Sequence, residues 1–341
     1  MRIASFISAR LAGALSAMVG ASFVAFVVLR VAPGDPARLI LGPLADRAAV
    51  NQLRHDLGLN GSIAGQYWHF LVNFCRGDWG YSYAQGASVS RLILDRLPAT
   101  IELALFAFVG AFLSAVLLAL LATYHRRRGI DLLVRVLSYV GLGVPQFWLG
   151  LVGLIVFFKA ARVLPGPEGR LSASASPPPS HTGLYTVDAL ISGRWTTLGQ
   201  ALLHLLLPAL TLGFPIFAFL VRLLRANLLD VRREPFVLVV RSKGIGRWAT
   251  YVRHVLPNAF LPTLTASGLL LAQLIGGSVL VESVFDWPGL GQLVVGSIQR
   301  QDYSVVETFI LISAFTYVVV TTLLDMLYGM IDPRVGSKRA T

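Results

Sequence analysis

Apolar runs long enough to cross a bilayer alternate along this chain with short basic or turn-rich segments. About 20 apolar residues span a hydrocarbon core as a helix, and the runs 11–31, 101–123, 132–158, 202–221, 261–281 and 305–331 each qualify. Lipid offers no partner for an open backbone group, so these runs must be helices. The pattern predicts an all-α integral membrane protein with about six transmembrane helices. Arg2 and Arg10 precede the first run as they would in a signal peptide, but Ala32-Pro33-Gly34-Asp35-Pro36 closes it with turn chemistry rather than a small-residue cleavage site. We read it as a retained anchor.

The segment between the fourth and fifth runs breaks the pattern. Residues 234–257 are too polar to cross a membrane and too regular for a linker. Glu234 suits a helix start and Pro235 the first turn, where a missing N–H costs nothing. Phe236, Val237, Val239 and Val240 give an apolar face, with Arg241 and Lys243 in the last turn. Gly244 and Gly246 are expected to break this helix. Trp248, Tyr251, Val252 and Val255 then recur at helical spacing, interleaved with Arg247, Arg253 and His254, and Pro257 closes the second helix. A solvated basic loop is the plain reading; a lever worked from outside the membrane is the other.

Between the first two runs, residues 32–99 are long for a loop and should carry structure. Asp46 can cap a helix through Val50, Leu53 and Leu57 that stops at Gly58. Tyr67, Trp68, Phe70, Leu71 and Phe74 form a second amphipathic patch, either an interfacial belt or a partner surface. Gly77-Asp78-Trp79-Gly80 reads as a turn. Arg126-Arg127-Arg128-Gly129 makes a tight hairpin between the second and third runs. Pro145 should kink the third, and Gln146 beside it either lines a pathway or bonds a neighbouring helix. Pro208 and Pro215 should bend the fourth. Gly268, Gly276 and Gly277 permit close packing of the fifth. Asp325 in the sixth needs a partner or water. Residues 172–180, SASASPPPS, read as a flexible outer loop.

Composition changes the picture in three ways. Hydrophobic residues make up 55% of the chain and charged ones 13%, as expected for membrane proteins. The net charge of +12 is also one-sided: segments 1–10, 124–131, 222–254 and 332–341 hold 16 of the 29 Lys and Arg but only four acids. With both termini cytoplasmic, all four lie inside, as the positive-inside rule requires. The high basicity thus needs no nucleic acid to explain it. Finally, Cys75 is the sole cysteine, the six histidines are scattered, and the dipeptide Gly-Lys of a phosphate loop never occurs. The residues predict no metal site and no ATP bound by this chain itself.

Many spaced motifs occur together: Ala32–Pro36, Leu57-Gly58-Leu59, Gly77–Gly80, Arg96-Leu97-Pro98-Ala99-Thr100-Ile101-Glu102-Leu103, Leu207-Pro208-Ala209-Leu210-Thr211-Leu212, Arg222 through Arg225, Pro288-Gly289-Leu290-Gly291 and Asp332-Pro333-Arg334. In this order the chain resembles the first permease of dipeptide, oligopeptide and nickel importers, inner-membrane components of binding-protein-dependent ABC systems. The resemblance implies an ABC permease fold: an anchor helix over 1–31, an external region over 32–99, a five-helix core over 100–331 with a cytoplasmic coupling loop at 234–257, and a tail over 332–341. It implies that Glu234, Phe236, Arg241, Lys243, Gly244, His254, Leu256 and Pro257 meet an ATPase subunit. The family's Glu-Ala-Ala positions read Leu238-Val239-Val240 here, which are bulkier. Pro145, Gln146, Pro208 and Pro215 are pathway candidates, and Glu282, Phe285, Pro288, Gly289 and Asp302 candidates for an outer gate or binding-protein loop. Expected partners are a second permease, two ATPases carrying ATP and magnesium, and an extracytoplasmic binding protein. The expected location is the bacterial inner membrane. Peptides are the expected cargo, with nickel the alternative within the family and a secondary transporter the alternative outside it.

Overall fold

The computed structural model describes residues 13–331 apart from 14, 17, 25, 29, 31–36, 38–40, 43–44, 57–59 and 126–127. The Ala32–Pro36 turn, the Leu57-Gly58-Leu59 stop, Arg126-Arg127, the Asp332-Pro333-Arg334 tail and the side chain of Asp325 lie outside the described residues.

A short apolar helix, α1 (Met18–Val28), falls within the first predicted span. Two amphipathic helices follow, α2 (Arg47–Asp56) directly after Asp46 and α3 (Ile63–Cys75). The ring of Tyr67 is the inward residue of α3: its hydroxyl bonds the carbonyl of Val19 at 2.8 Å, and Phe70 stacks on Phe26. The turn at Gly77–Gly80 leads into a two-residue antiparallel pair, β1 (Tyr81–Ser82) and β2 (Ala87–Ser88).

Two 37-residue helices form the centre, α4 (Val89–His125) and α8 (Trp195–Val231). Their packing follows from side-chain size rather than polarity. Ala107, Ala111, Ala115 and Ala119 recur every fourth residue on α4 and are buried, while Leu105, Val109, Leu113 and Leu117 on the opposite face are exposed. Small residues let two helix backbones approach closely where lipid gives no hydrophobic drive for association. At the closest point a Cβ on Gly213 would stand 2.6 Å from the carbonyl oxygen of Ala107. α8 runs unbroken through Pro208 and Pro215.

The third predicted span is not one kinked helix. α5 (Arg128–Gly143) stops, and α6 (Gln146–Gly153) sets off after a bend of 112°, continuing as a π-helical stretch over Leu154–Ala160. The cause is local. Pro145 disfavours helical geometry at Val144, and its own ψ of 137° makes it the start of the next helix rather than an interior residue. Beyond it, residues 172–180 form an irregular loop, followed by α7 (Tyr185–Ile191).

After α8 come α9 (Pro235–Ser242), α10 (Arg247–Thr250), a π turn at Tyr251–Val255 and α11 (Leu256–Gly277). Pro257 therefore does not end a helix. The wide π turn carries the chain past the N–H that proline lacks, and the side chain of Asn258 reaches back to the carbonyl of His254 at 2.7 Å. The fifth span thus starts at Arg247, inside the polar segment. Gly276 has open space where a Cβ would be, whereas Gly141 and Gly213, on α5 and α8, are among the glycines that pack tightly. Two short helices, α12 (Val279–Val284) and α13 (Leu290–Gln299), precede the last, α14 (Tyr303–Ile331). Among the described residues four helices can cross a membrane, or five if the bent pair is counted as one. Together with α1 they occupy the six predicted positions.

Candidate functional site

The 234–257 segment is bolted to one end of the bundle. Glu234 precedes α9 with extended backbone angles and Pro235 takes its first turn. Of the predicted apolar face only Val237 is buried; Val240 is half-buried and Phe236 and Val239 are exposed, as are Leu238, Arg241 and Lys243. Gly244 turns the chain at φ +80°. Gly246 does not share this role, because its φ of −57° is open to any residue. The second half is held from below. The guanidinium of Arg247 donates to the carbonyl of Tyr124 at 2.6 Å and lies over its ring, while Trp248 and Tyr251 meet the same ring edge-on. Arg232 donates to the carbonyl of Thr123. Nearby, Asp131 accepts from both Arg225 and Arg135, tying α5 to α8. One face of α9 is therefore an apolar and cationic surface on a firmly mounted support. His254 is half-buried and Leu256 partly packed, with Pro257 exposed.

A second feature is a cavity of about 420 Å³ at the break in the third span. Gly141, Gln146, Leu212, Pro215, Phe219 and Gln273 contribute to its wall. Gln146 both lines this space and donates to the carbonyl of Leu212 on α8 at 2.9 Å. The bond to a neighbouring helix expected of this residue is thus observed, and the same side chain faces an open space. Pro215 shares this wall; Pro145 precedes Gln146 without lining the space, and Pro208 is buried elsewhere along α8.

The predicted outer residues gather at the opposite end of the bundle into a buried clasp. Glu282 is fully buried and accepts from the hydroxyls of Thr100 (2.9 Å) and Ser278 (2.8 Å) and from the N–H groups of Gly291 (2.6 Å) and Gln292 (3.1 Å). Burial pushes its carboxyl above the ordinary value of 4.5, against the pull of these four donors. Gly289 is required here, since a Cβ would lie 2.5 Å from both Glu282 and Thr100. Phe285 packs against Gly150, and Trp287 donates to the carbonyl of Ala99. Asp302 takes the hydroxyl of Ser82 and is likewise raised by burial. Pro288 is half-buried; Ser283, Asp286 and Arg300 are among the exposed residues of this region.

Arg170 was not foreseen. It forms a buried ion pair with Glu102, whose other oxygen accepts from the backbone and hydroxyl of Thr186. An acid inside the second apolar run signalled the need for a cation. Nothing in the irregular sequence around 170 marked that residue as the donor.

Comparison with known proteins agrees with this architecture. The family described as "Binding-protein-dependent transport system inner membrane component" matches residues 115–337, and its N-terminal companion, "Binding-prot-dependent transport system membrane comp, N-term", matches residues 3–104. A probable D,D-dipeptide transport system permease protein, DdpB, of Escherichia coli (strain K12) is 38% identical over 97% of both chains. The dipeptide transport system permease protein DppB of Alkalihalophilus pseudofirmus is 34% identical over 93% of this chain and 95% of its own. The glutathione transport system permease protein GsiC of Escherichia coli (strain K12) is 32% identical over 98% and 99%. The family match and these full-length likenesses show that the chain belongs to the inner-membrane permeases of binding-protein-dependent ABC importers, a family of multi-pass, non-catalytic membrane subunits.

Proposed function

We infer that this chain pairs with a second permease to form the pathway of a peptide importer, and that residues 234–257 carry motion from a separate ATPase subunit into it. The observation that carries the coupling role is the contrast within α9. Phe236, Leu238 and Val239 are exposed beside Arg241 and Lys243, while Val237, Tyr251 and Val255 anchor the same segment to the span ends. A surface mounted in this way moves the helices when something moves it. Two ATPases bearing ATP and magnesium are the partners that fit, and an extracytoplasmic binding protein would deliver cargo at the end carrying the Glu282 clasp. Both termini then lie in the cytoplasm, consistent with the one-sided positive charge.

Peptides are the favoured cargo. The polar side chains of the central cavity, Gln146 and Gln273, are amides, which exchange hydrogen bonds readily with peptide bonds. The dipeptide, peptide and glutathione carriers among the relatives point the same way. Family membership sets a secondary transporter aside.

Reconstitution with all partner subunits in vesicles tests the reading. ATP-dependent uptake of a defined dipeptide such as L-alanyl-L-alanine is expected, with Gln146→Leu altering uptake while the complex still assembles. Uptake of Ni²⁺ but not of dipeptides would replace the cargo. For orientation, the exposed Cys75 on α3 should react with a membrane-impermeant maleimide from the extracytoplasmic side; labelling only from the cytoplasm would invert the topology.

A further inference from the structure

A polar pocket of about 230 Å³ lies apart from the central cavity, where α3 and the turn after it meet the start of α14. Arg30, His69, Asn73, Asp78, Ser304 and Glu307 face it. Its frame is held before any ligand arrives. Tyr67 fixes α3 to α1 through Val19 and Ser22, Phe74 stacks on Trp79, and Thr308 reaches the carbonyl of Trp79. Rigid walls lower the ordering cost of binding.

The charges inside are incompletely satisfied. Glu307 is only 6% exposed and stands 3.5 Å from the Arg30 guanidinium. That contact is an ion pair without hydrogen-bond geometry: neither Glu307 Oε1 nor Arg30 Nε has a hydrogen-bond partner. Burying charged groups without hydrogen bonds is costly unless something supplies them. Two carboxylates, Glu307 and Asp78, stand against one guanidinium. The pocket thus asks for N–H donors at Glu307 and offers a donor to an anionic oxygen at Arg30.

We propose that this pocket binds a zwitterion carrying a primary ammonium, with the ammonium on Glu307 and an acidic oxygen on the guanidinium of Arg30. Two sources share that chemistry: the phosphoethanolamine headgroup of a membrane lipid and the free termini of a small peptide. The site would link Arg30, beyond the end of α1, and α3 to the last helix, independently of the pathway at Gln146.

Equilibrium binding to the purified membrane complex in nanodiscs tests the proposal with three soluble probes: glycerophosphoethanolamine, L-alanyl-L-alanine and glycerophosphocholine. Glycerophosphoethanolamine or the dipeptide should bind, and the one that does identifies the source. Glycerophosphocholine has no N–H and should bind at least tenfold more weakly. Glu307→Gln should weaken the binding probe at least tenfold, and so should Ser304→Phe, which fills the pocket while keeping the ion pair. Binding of neither ammonium probe, or equal binding by wild type and Glu307→Gln, overturns the site. If Glu307→Gln does not assemble, Ser304→Phe decides, and unchanged binding there overturns it equally.

Discussion

The guanidinium of Arg170 stands 2.5 Å from the carboxylate of Glu102, both side chains are buried, and 68 residues separate them in sequence. The same guanidinium donates to the carbonyl of Gly183 and lies over the ring of Tyr185 at 3.5 Å. Glu102 in turn receives Thr186. One ion pair therefore pins the irregular segment before α7 onto α4, close to the clasp around Glu282. A long coil without regular hydrogen bonding gains a fixed path in this way.

Removing one partner should cost more than removing both. Arg170→Met leaves the Glu102 carboxylate buried and unpaired, a loss of about 3–5 kcal/mol. The Arg170→Met, Glu102→Leu double variant should recover part of it. Thermal unfolding of the purified chain in detergent reads both, and a double variant no better than the single one would show that the pair is not the clamp.

Close backbone approach makes a second expectation. A methyl group on Gly213 meets the Ala107 carbonyl at 2.6 Å, and backbone cannot rotate away as a side chain can. Gly213→Ala should push α4 from α8 and lower stability by about 1–3 kcal/mol. Gly276→Ala is the control, since open space surrounds that position. Equal melting temperatures for the two variants would contradict the packing described here.

The loop around Asp188 should respond to acid. Burial raises the Asp188 carboxyl, but hydrogen bonds from the N–H and hydroxyl of Thr182 and the N–H of Gly183 outweigh it, so the value lies below the ordinary 3.8. A lowered folded value means full stabilisation above pH 3.8, lost as the pH falls through the folded value. Protection of the amides of residues 182–188, the slowing of their exchange relative to the intrinsic rate at each pH, should fall on acidification in that range. In Asp188→Asn this protection should already be lower at neutral pH and should respond less to acid.

Hydropathy located the spans well because each apolar run had to become a helix. It could not show where one run would break. The turn at Pro145 reorients the chain by 112° inside an apolar stretch that reads as one span. Nor could polarity show which face of α4 turns inward, because both faces are apolar; the alanine spacing at 107, 111, 115 and 119 held that information as size. Pro257 misled in the other direction. Proline normally marks a boundary, but the π turn before it absorbs the missing N–H and lets α10 run on into α11. At the candidate site, local chemistry around Pro235 and Gly244 was legible, since each acts on its own backbone. Arg170 and Glu102 were not, because their meeting depends on the path of a coil with no periodicity.

Gly244 gives the sharpest test of the coupling segment. Its φ of +80° lies where L side chains are strained, yet nothing stands within 4 Å of the Cβ it lacks. The requirement is therefore backbone freedom, not space. Gly244→Val should strain the turn between α9 and α10 by about 1 kcal/mol or more. Gly244→Asn should be milder, because asparagine visits this region more readily. Neither substitution touches a span, so both variants should insert and pair with the second permease. If α9 passes motion from an ATPase, substrate-stimulated ATP hydrolysis in reconstituted vesicles should fall in the order wild type, asparagine, valine. Adding Arg241→Glu to the valine variant should deepen the loss by reversing a charge on the exposed face. Undiminished hydrolysis by that double variant would remove the coupling role from this segment.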